Sequence, residues 1–202
     1  MLHSQALTTK NKLFTPNTMN IRTASYASFL LMPALLAAQT NFATRTGEIS
    51  FFSSTPMEDI TAVNQRVASV FVPATGAVEF SALIKAFEFE KAMMQEHFNE
   101  NYMESSTFPK ALFKGKVQPA PGDDLAKAGE HSVTVTGNLT IHGITKQVTV
   151  QGVFTTEAGG TLKARSEFKV KPEDYGIKVP GVVRNKIAEI IDVKVKLAYA
   201  PL

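Results

Sequence analysis

Few side chains in this chain could do covalent or metal chemistry, and their spacing works against it. The four histidines are His3, His97, His131 and His142. None forms the i, i+4 pair that sets two imidazoles toward one zinc ion from a single helical face. There is no cysteine, which removes a thiol nucleophile, a disulfide framework and a cysteine zinc site. The adjacent acids Glu58/Asp59 and Asp123/Asp124 fall where turns or helix starts are expected, and read as capping or solvated groups. No Gly-x-Ser-x-Gly elbow and no glycine-rich phosphate loop occurs. The expectation is therefore no catalytic residue, no metal, no cofactor and no enzyme.

What remains is apolar side chains at two regular spacings. Over residues 88–103 (EFEKAMMQEHFNENYM), Met93, Met94, His97, Phe98 and Tyr102 recur at helical intervals and predict a helix with a methionine and aromatic stripe. Almost everywhere else the period is two, which places alternate side chains on opposite faces of a strand. The clearest case is residues 132–154, SVTVTGNLTIHGITKQVTVQGVF. Val133, Val135, Gly137, Leu139 and Ile141 share one face of the first half, and Val148, Val150, Gly152 and Phe154 share one face of the second. His142-Gly143-Ile144-Thr145 supplies the reversal, because Gly143 takes positive φ at little cost.

These faces need strands on either side. Residues 45–53 read as a strand with Ile49 and Phe51 inward. Thr55-Pro56-Met57-Glu58 has capping-box spacing with proline at the first helical position, so a short helix is predicted to about Val63. Residues 66–72 and 77–87 are strands, the second with Val78, Phe80, Ala82, Ile84 and Ala86 inward. Residues 107–117 place Ala111, Phe113 and Val117 inward, and residues 118–130 form a loop. Residues 161–170 (Leu162, Ala164, Phe168 and Val170 inward) and 187–199 (Ile191, Val193, Val195, Leu197 and Tyr199 inward) complete the set. Residues 171–185 are irregular.

About eight strands with one apolar and one charged face fit a sandwich or a closed antiparallel barrel. Closure removes exposed edges and is favoured. A membrane barrel would turn its apolar face to lipid, where mid-strand Lys114, Arg165 and Lys194 would each cost about 2–4 kcal/mol. The charged face must therefore meet water.

Charge excludes one partner class. The net charge is +3, and residues 1–38 carry Lys10, Lys12 and Arg22 with no acid, so the remainder holds 18 basic and 18 acidic residues. No concentrated basic footprint for nucleic acid exists. Residues 26–38, YASFLLMPALLAA, are apolar all round and too short to span a bilayer, which takes about 20 residues. They read as a secretory signal ending near Gln39, with Met19 as its start and residues 1–18 as an upstream extension. The domain division is then 1–38 for extension and signal, and 39–202 for the barrel. Without cysteine there is no lipid-anchored cleavage site, so the product is expected to be periplasmic or secreted, with no membrane span after cleavage.

The hairpin GNLTIHGITKQVTVQGVF resembles the signature of the YceI-like family, in which G-(D/N)-L-T-(I/L)-H-G-(V/I)-T-(K/R)-x-V runs over adjacent strands. Phe108-Pro109-Lys110-Ala111-Leu112-Phe113-Lys114 and Asp174-Tyr175-Gly176 match further family elements. The resemblance covers roughly residues 46–197. The opening strand, RTGEISFFSSTPMEDI, and the methionine-rich helix depart from the family's usual forms. The resemblance implies an all-β, eight-stranded antiparallel lipocalin-like barrel with one or two short helices. It also implies an exported protein holding an amphipathic lipid, polyisoprenoid-like, in an apolar tunnel for storage or transport.

On that reading the tunnel set is Phe80, Ile84, Phe113, Leu139, Ile141, Val148, Val150, Phe154, Phe168, Ile191 and Val193, together with Phe51. The mouth set is Met94, His97, Phe98 and Tyr102. Alternation alone does not separate a hollow interior from a filled one. The small inward residues Ala82, Ala111, Gly137, Gly152 and Ala164 point to room along the axis. The competing readings are an envelope protein with a closed core and no ligand, acting through its surface, and, more weakly, a lipid-modifying enzyme using His97 and a nearby carboxylate. The helix stripe could equally seat the helix on the barrel, and His142 could simply bond backbone around its turn. A homodimer is compatible with the sequence.

Overall fold

The computed structural model describes residues 40–202, so the signal segment read from the sequence lies outside the described residues. Eight long strands and one two-residue strand form the sheet: β1 (Phe42–Ser54), β2 (Asp59–Val72), β3 (Ala77–Leu83), β4 (Glu88–Phe89), β5 (Lys110–Pro119), β6 (Gly129–Ile141), β7 (Ile144–Thr156), β8 (Leu162–Val170) and β9 (Ile191–Pro201). Each long strand pairs antiparallel with its neighbours in sequence, and β1 pairs with both β2 and β9, so the eight long strands close into an up-and-down barrel. β4 lies outside this ring, paired to the start of β2. A helix α1 (Ala92–His97) runs into one π-helical turn, Phe98–Tyr102.

The sequence pattern and the strands agree closely at the β6–β7 hairpin. Its register pairs Val135 with Val150 and Gly137 with Val148. The reversal is the two-residue loop His142-Gly143, with φ of 50° and 75°, the double positive φ of a type I′ turn. Gly137 does not leave a void as its small size suggested. It faces Gly115 across β5–β6, and a Cβ on Gly137 would stand 2.7 Å from the ring of Phe113 and 2.4 Å from the Lys114 carbonyl. The glycine pair is the bed on which Phe113 lies.

The helix expected through Val63 is absent, and residues 59–63 belong to β2. The Thr55 hydroxyl accepts the Glu58 and Met57 N–H groups at 3.1 and 3.3 Å, and the Thr55 N–H donates to the Glu58 carbonyl at 3.1 Å. The capping geometry thus closes a hairpin turn instead of starting a helix. A β-bulge hid the strand: β2 slips register against β1 between Val67 and Asn64. Ala62 and Asn64 are buried before the slip, Val67, Ser69 and Phe71 after it, so the inward parity changes from even to odd. Asn64 holds the bulge, accepting the Arg66 N–H at 2.9 Å and donating to the Leu83 carbonyl at 2.8 Å. Three other boundaries moved. The last strand begins at Ile191 instead of at residue 187. Residues 84–86 form a 3₁₀ turn, and β4 occupies the start of the stretch read as helix.

The up-and-down path gives the barrel two unlike ends. At one end the connections 73–76 and 157–161 are tight turns, and the loop 120–128 tucks Leu125 against the core. At the other lie the Thr55–Glu58 turn, the His142-Gly143 turn and the two long connections, 84–109 and 171–190.

Candidate functional site

The interior of the tight-turn end is solid. Phe71, Val78, Val117, Val133, Phe154, Leu162, Leu197 and Tyr199 are buried together. Phe71 stands 5.1 Å from Phe154, and Phe154 stacks on Tyr199 at 6.5 Å. The Tyr199 hydroxyl lies 2.8 Å from Ser69 Oγ, which donates to the Glu79 carbonyl at 2.9 Å. Burial pushes the Tyr199 phenol up to about 12, against which the Ser69 hydrogen bond works only in part.

Above this floor the barrel is hollow. A cavity of about 530 Å³ opens at the long-connection end, and a second of about 120 Å³ lies deeper, against the floor. Ile84, Ile141, Ile191 and Val193 line the outer cavity; Phe80, Phe113, Val148, Val150 and Phe154 line the inner one; Leu139 and Phe168 line both. All the tunnel residues read from alternation therefore face one of the two spaces. Met94, His97, Phe98 and Tyr102 all line the outer cavity.

Phe98 anchors the mouth. Its ring lies 5.0 Å from Phe89, 5.5 Å from Phe51 and 5.6 Å from Phe87, at the separations where edge and offset contacts are favourable. The π-helical turn that carries Phe98 rests on buried Met103, Ile84, Tyr175 and Ile177. Polar groups are confined to the rim. Lys91 pairs with Glu58 at 3.1 Å, and both line the entrance with His97, Tyr102 and Lys186. Burial pushes the Tyr102 phenol up, so its hydroxyl stays neutral and able to donate.

The segments around the mouth are tied in a ring. Lys91 links the helical segment to the β1–β2 turn. His142 Nε2 lies 3.3 Å from the Glu104 carboxylate, and its Nδ1 lies 3.2 Å from the Tyr175 carbonyl. Its ring also packs at 4.5 Å on Phe108. Ser53 Oγ accepts the Ala188 N–H at 2.9 Å. His142 thus bonds more than its own turn: it joins both long connections to the hairpin tip.

Sequence reasoning missed part of the wall. Val179 and Val183 line the entrance from the irregular connection, where no period marks a residue as inward, and Ile187 joins them from residues read as the start of the last strand. Phe87 and Phe89 were hidden by the change from strand to helix around them. Among the described residues, no carboxylate lies within 4 Å of His97, and no group of three His, Asp or Glu side chains could hold a metal ion. No described helix is long and apolar enough to cross a membrane. The outer face of the barrel carries pairs such as Lys114–Glu79 and Lys194–Glu167, both at 3.2 Å.

Comparison with known proteins gives a consistent result. The family model described as YceI-like domain matches residues 25–199. A polyisoprenoid binding domain from Saccharophagus degradans implicated in plant cell wall breakdown is similar in structure, at 16% identity and a TM-score of 0.68, covering 80% of this chain and 98% of that one. BcnA of Burkholderia cenocepacia is similar at 18% identity and a TM-score of 0.64, covering 76% and 96%. The YCEI protein of Campylobacter jejuni is similar at 15% identity and a TM-score of 0.51, covering 95% and 98%. At these identities the likeness is one of fold. No curated protein matches the chain.

Proposed function

From the premise that this chain belongs to the YceI-like family, we propose that it binds an amphipathic, polyisoprenoid-like lipid inside the barrel, for storage or transport outside the cytoplasm. The observation that carries this reading is the apolar cavity of about 530 Å³, open at one end and polar only at its rim. Such a space suits a hydrocarbon tail with its polar head at the entrance. Burying each methylene stabilises the complex by about 0.8 kcal/mol, so a long tail binds tightly without any polar contact inside. A barrel closed throughout its length would offer no such volume. The Saccharophagus relative, described as a polyisoprenoid binding domain, supports the class of ligand. The exported location rests on residues 19–38 and their signal-like pattern. The reading is of a carrier, in which burial of the tail supplies the affinity and the rim residues Lys91, Glu58, His97 and Tyr102 meet the head group.

The test is direct. Protein refolded free of lipid is mixed with a long-chain prenyl alcohol, and its melting temperature and retained alcohol are measured. A higher melting temperature with one alcohol retained per barrel is expected; unchanged melting with no uptake would overturn the proposal.

A further inference from the structure

The outer and inner cavities meet at one belt of residues, for Ile49, Ala82, Ala111, Leu139 and Phe168 line both. Two members are alanines, and they are register partners, Ala82 on β3 beside Ala111 on β5. We propose that this alanine pair is a doorway that sets the length of lipid tail the barrel accepts, a proposal that rests on the lipid-binding reading above.

Three features support it. The inner chamber is lined almost wholly by apolar side chains, so only the tail end of an amphipath can enter and the head stays at the rim. That chamber stops against Phe154, in contact with Phe71 and Tyr199. These rings belong to the buried floor, and the Tyr199–Ser69 hydrogen bond holds them, so the slot has a fixed end and therefore a fixed length. At the doorway itself, two members carry only methyl side chains, on adjacent strands, whereas Ile49, Leu139 and Phe168 are large. Ala82 is only 3% exposed, so any added side-chain volume there goes into the passage and not into solvent. Affinity should then rise with tail length, roughly fourfold for each methylene that enters, until the tail meets the floor. Beyond that length further carbons remain outside and contribute little.

The experiment measures dissociation constants of farnesol, geranylgeraniol and solanesol, which share one head group and differ in tail length, for the wild-type barrel, Ala111→Leu and Ala82→Leu. Retained farnesol binding reports that each variant is folded. The wild type is expected to gain affinity along the series to a plateau, and the leucine variants to reach their plateau at a shorter alcohol. Two variants on different strands keep the test valid should one fail to fold. If all three alcohols bind the wild type and the plateau stays in place in the folded variants, the doorway is overturned while the carrier reading stands. If none binds the wild type, both fall.

Discussion

At the closed end of the barrel, Phe71 and Tyr199 are 1% and 2% exposed, line neither cavity, and pack on each other and on Phe154. At the open end, Phe51, Phe87, Phe89 and Phe98 stand at similar separations but border a cavity. The same residue type thus does two jobs, decided by what lies on the far side of the ring. Where other side chains fill that space, burial and dispersion both stabilise the fold; where it is void, the dispersion contacts on that side are missing. The closed end holds the barrel together. The open end holds the space in which a ligand can supply the missing contacts.

The largest expected difference comes from truncating one ring at each end. Phe71→Ala should destabilise the protein by about 3–5 kcal/mol, the usual cost of emptying a packed site, read as a lower urea midpoint at an unchanged slope. Phe98→Ala should cost about 1–2 kcal/mol in lipid-free protein, since its ring already borders void, yet it should reduce lipid retention at equal folded fraction, whereas Phe71→Ala should not, because Phe71 lines neither cavity. Equal stability losses at the two sites would erase the distinction between the ends.

Alkaline titration comes next. The Tyr199 phenol is held up to about 12 in the fold and returns to about 10 in the unfolded chain. The folded state therefore binds more protons between these values. Its contribution is complete below pH 10 and falls by about 2–3 kcal/mol as the pH rises to 12. Tyr199→Phe should flatten this loss in melts followed across that window; a slope identical to wild type would show that the floor hydroxyl is not the group involved.

The smallest effect belongs to the rim. Lys91→Ala breaks an exposed ion pair with Glu58 and should change stability by about 0–1 kcal/mol, less at high salt. If the ring of ties around the mouth matters for holding cargo, the same substitution should speed lipid release in a fluorescent-analogue chase. Unchanged release would make this tie incidental.

Much of this contrast was legible in the sequence, for a definite reason. A barrel strand has one face in and one face out, so a period of two suffices to place Phe80, Phe113, Leu139, Val150 and Phe168 inside, while the same strands fit a sandwich as well and closure was favoured because it removes edges. Two kinds of information were hidden. Parity fails at a bulge, and the slip between Asn64 and Val67 made the first half of β2 resemble a capped helix. Periodicity is also silent in irregular backbone, so the walls contributed by Val179 and Val183 carried no signal, and the strand read from 187 hid that Ile187 belongs to the connection before β9. Hollow and solid interiors share one alternation pattern. What distinguishes them is how side-chain volumes sum across strands distant in sequence, as when the Phe113 ring fills the space over Gly115 and Gly137 while Ala82 and Ala111 line both cavities.

The most direct test of the hollow open end as a lipid site is native mass spectrometry of the barrel purified from the cells that make it. A carrier should appear with an added mass that collisional activation releases as one long-chain lipid, and lipid-stripped protein should regain that mass when mixed with a prenyl alcohol. A barrel that carries only its polypeptide mass before stripping and takes up nothing afterwards would contradict the account.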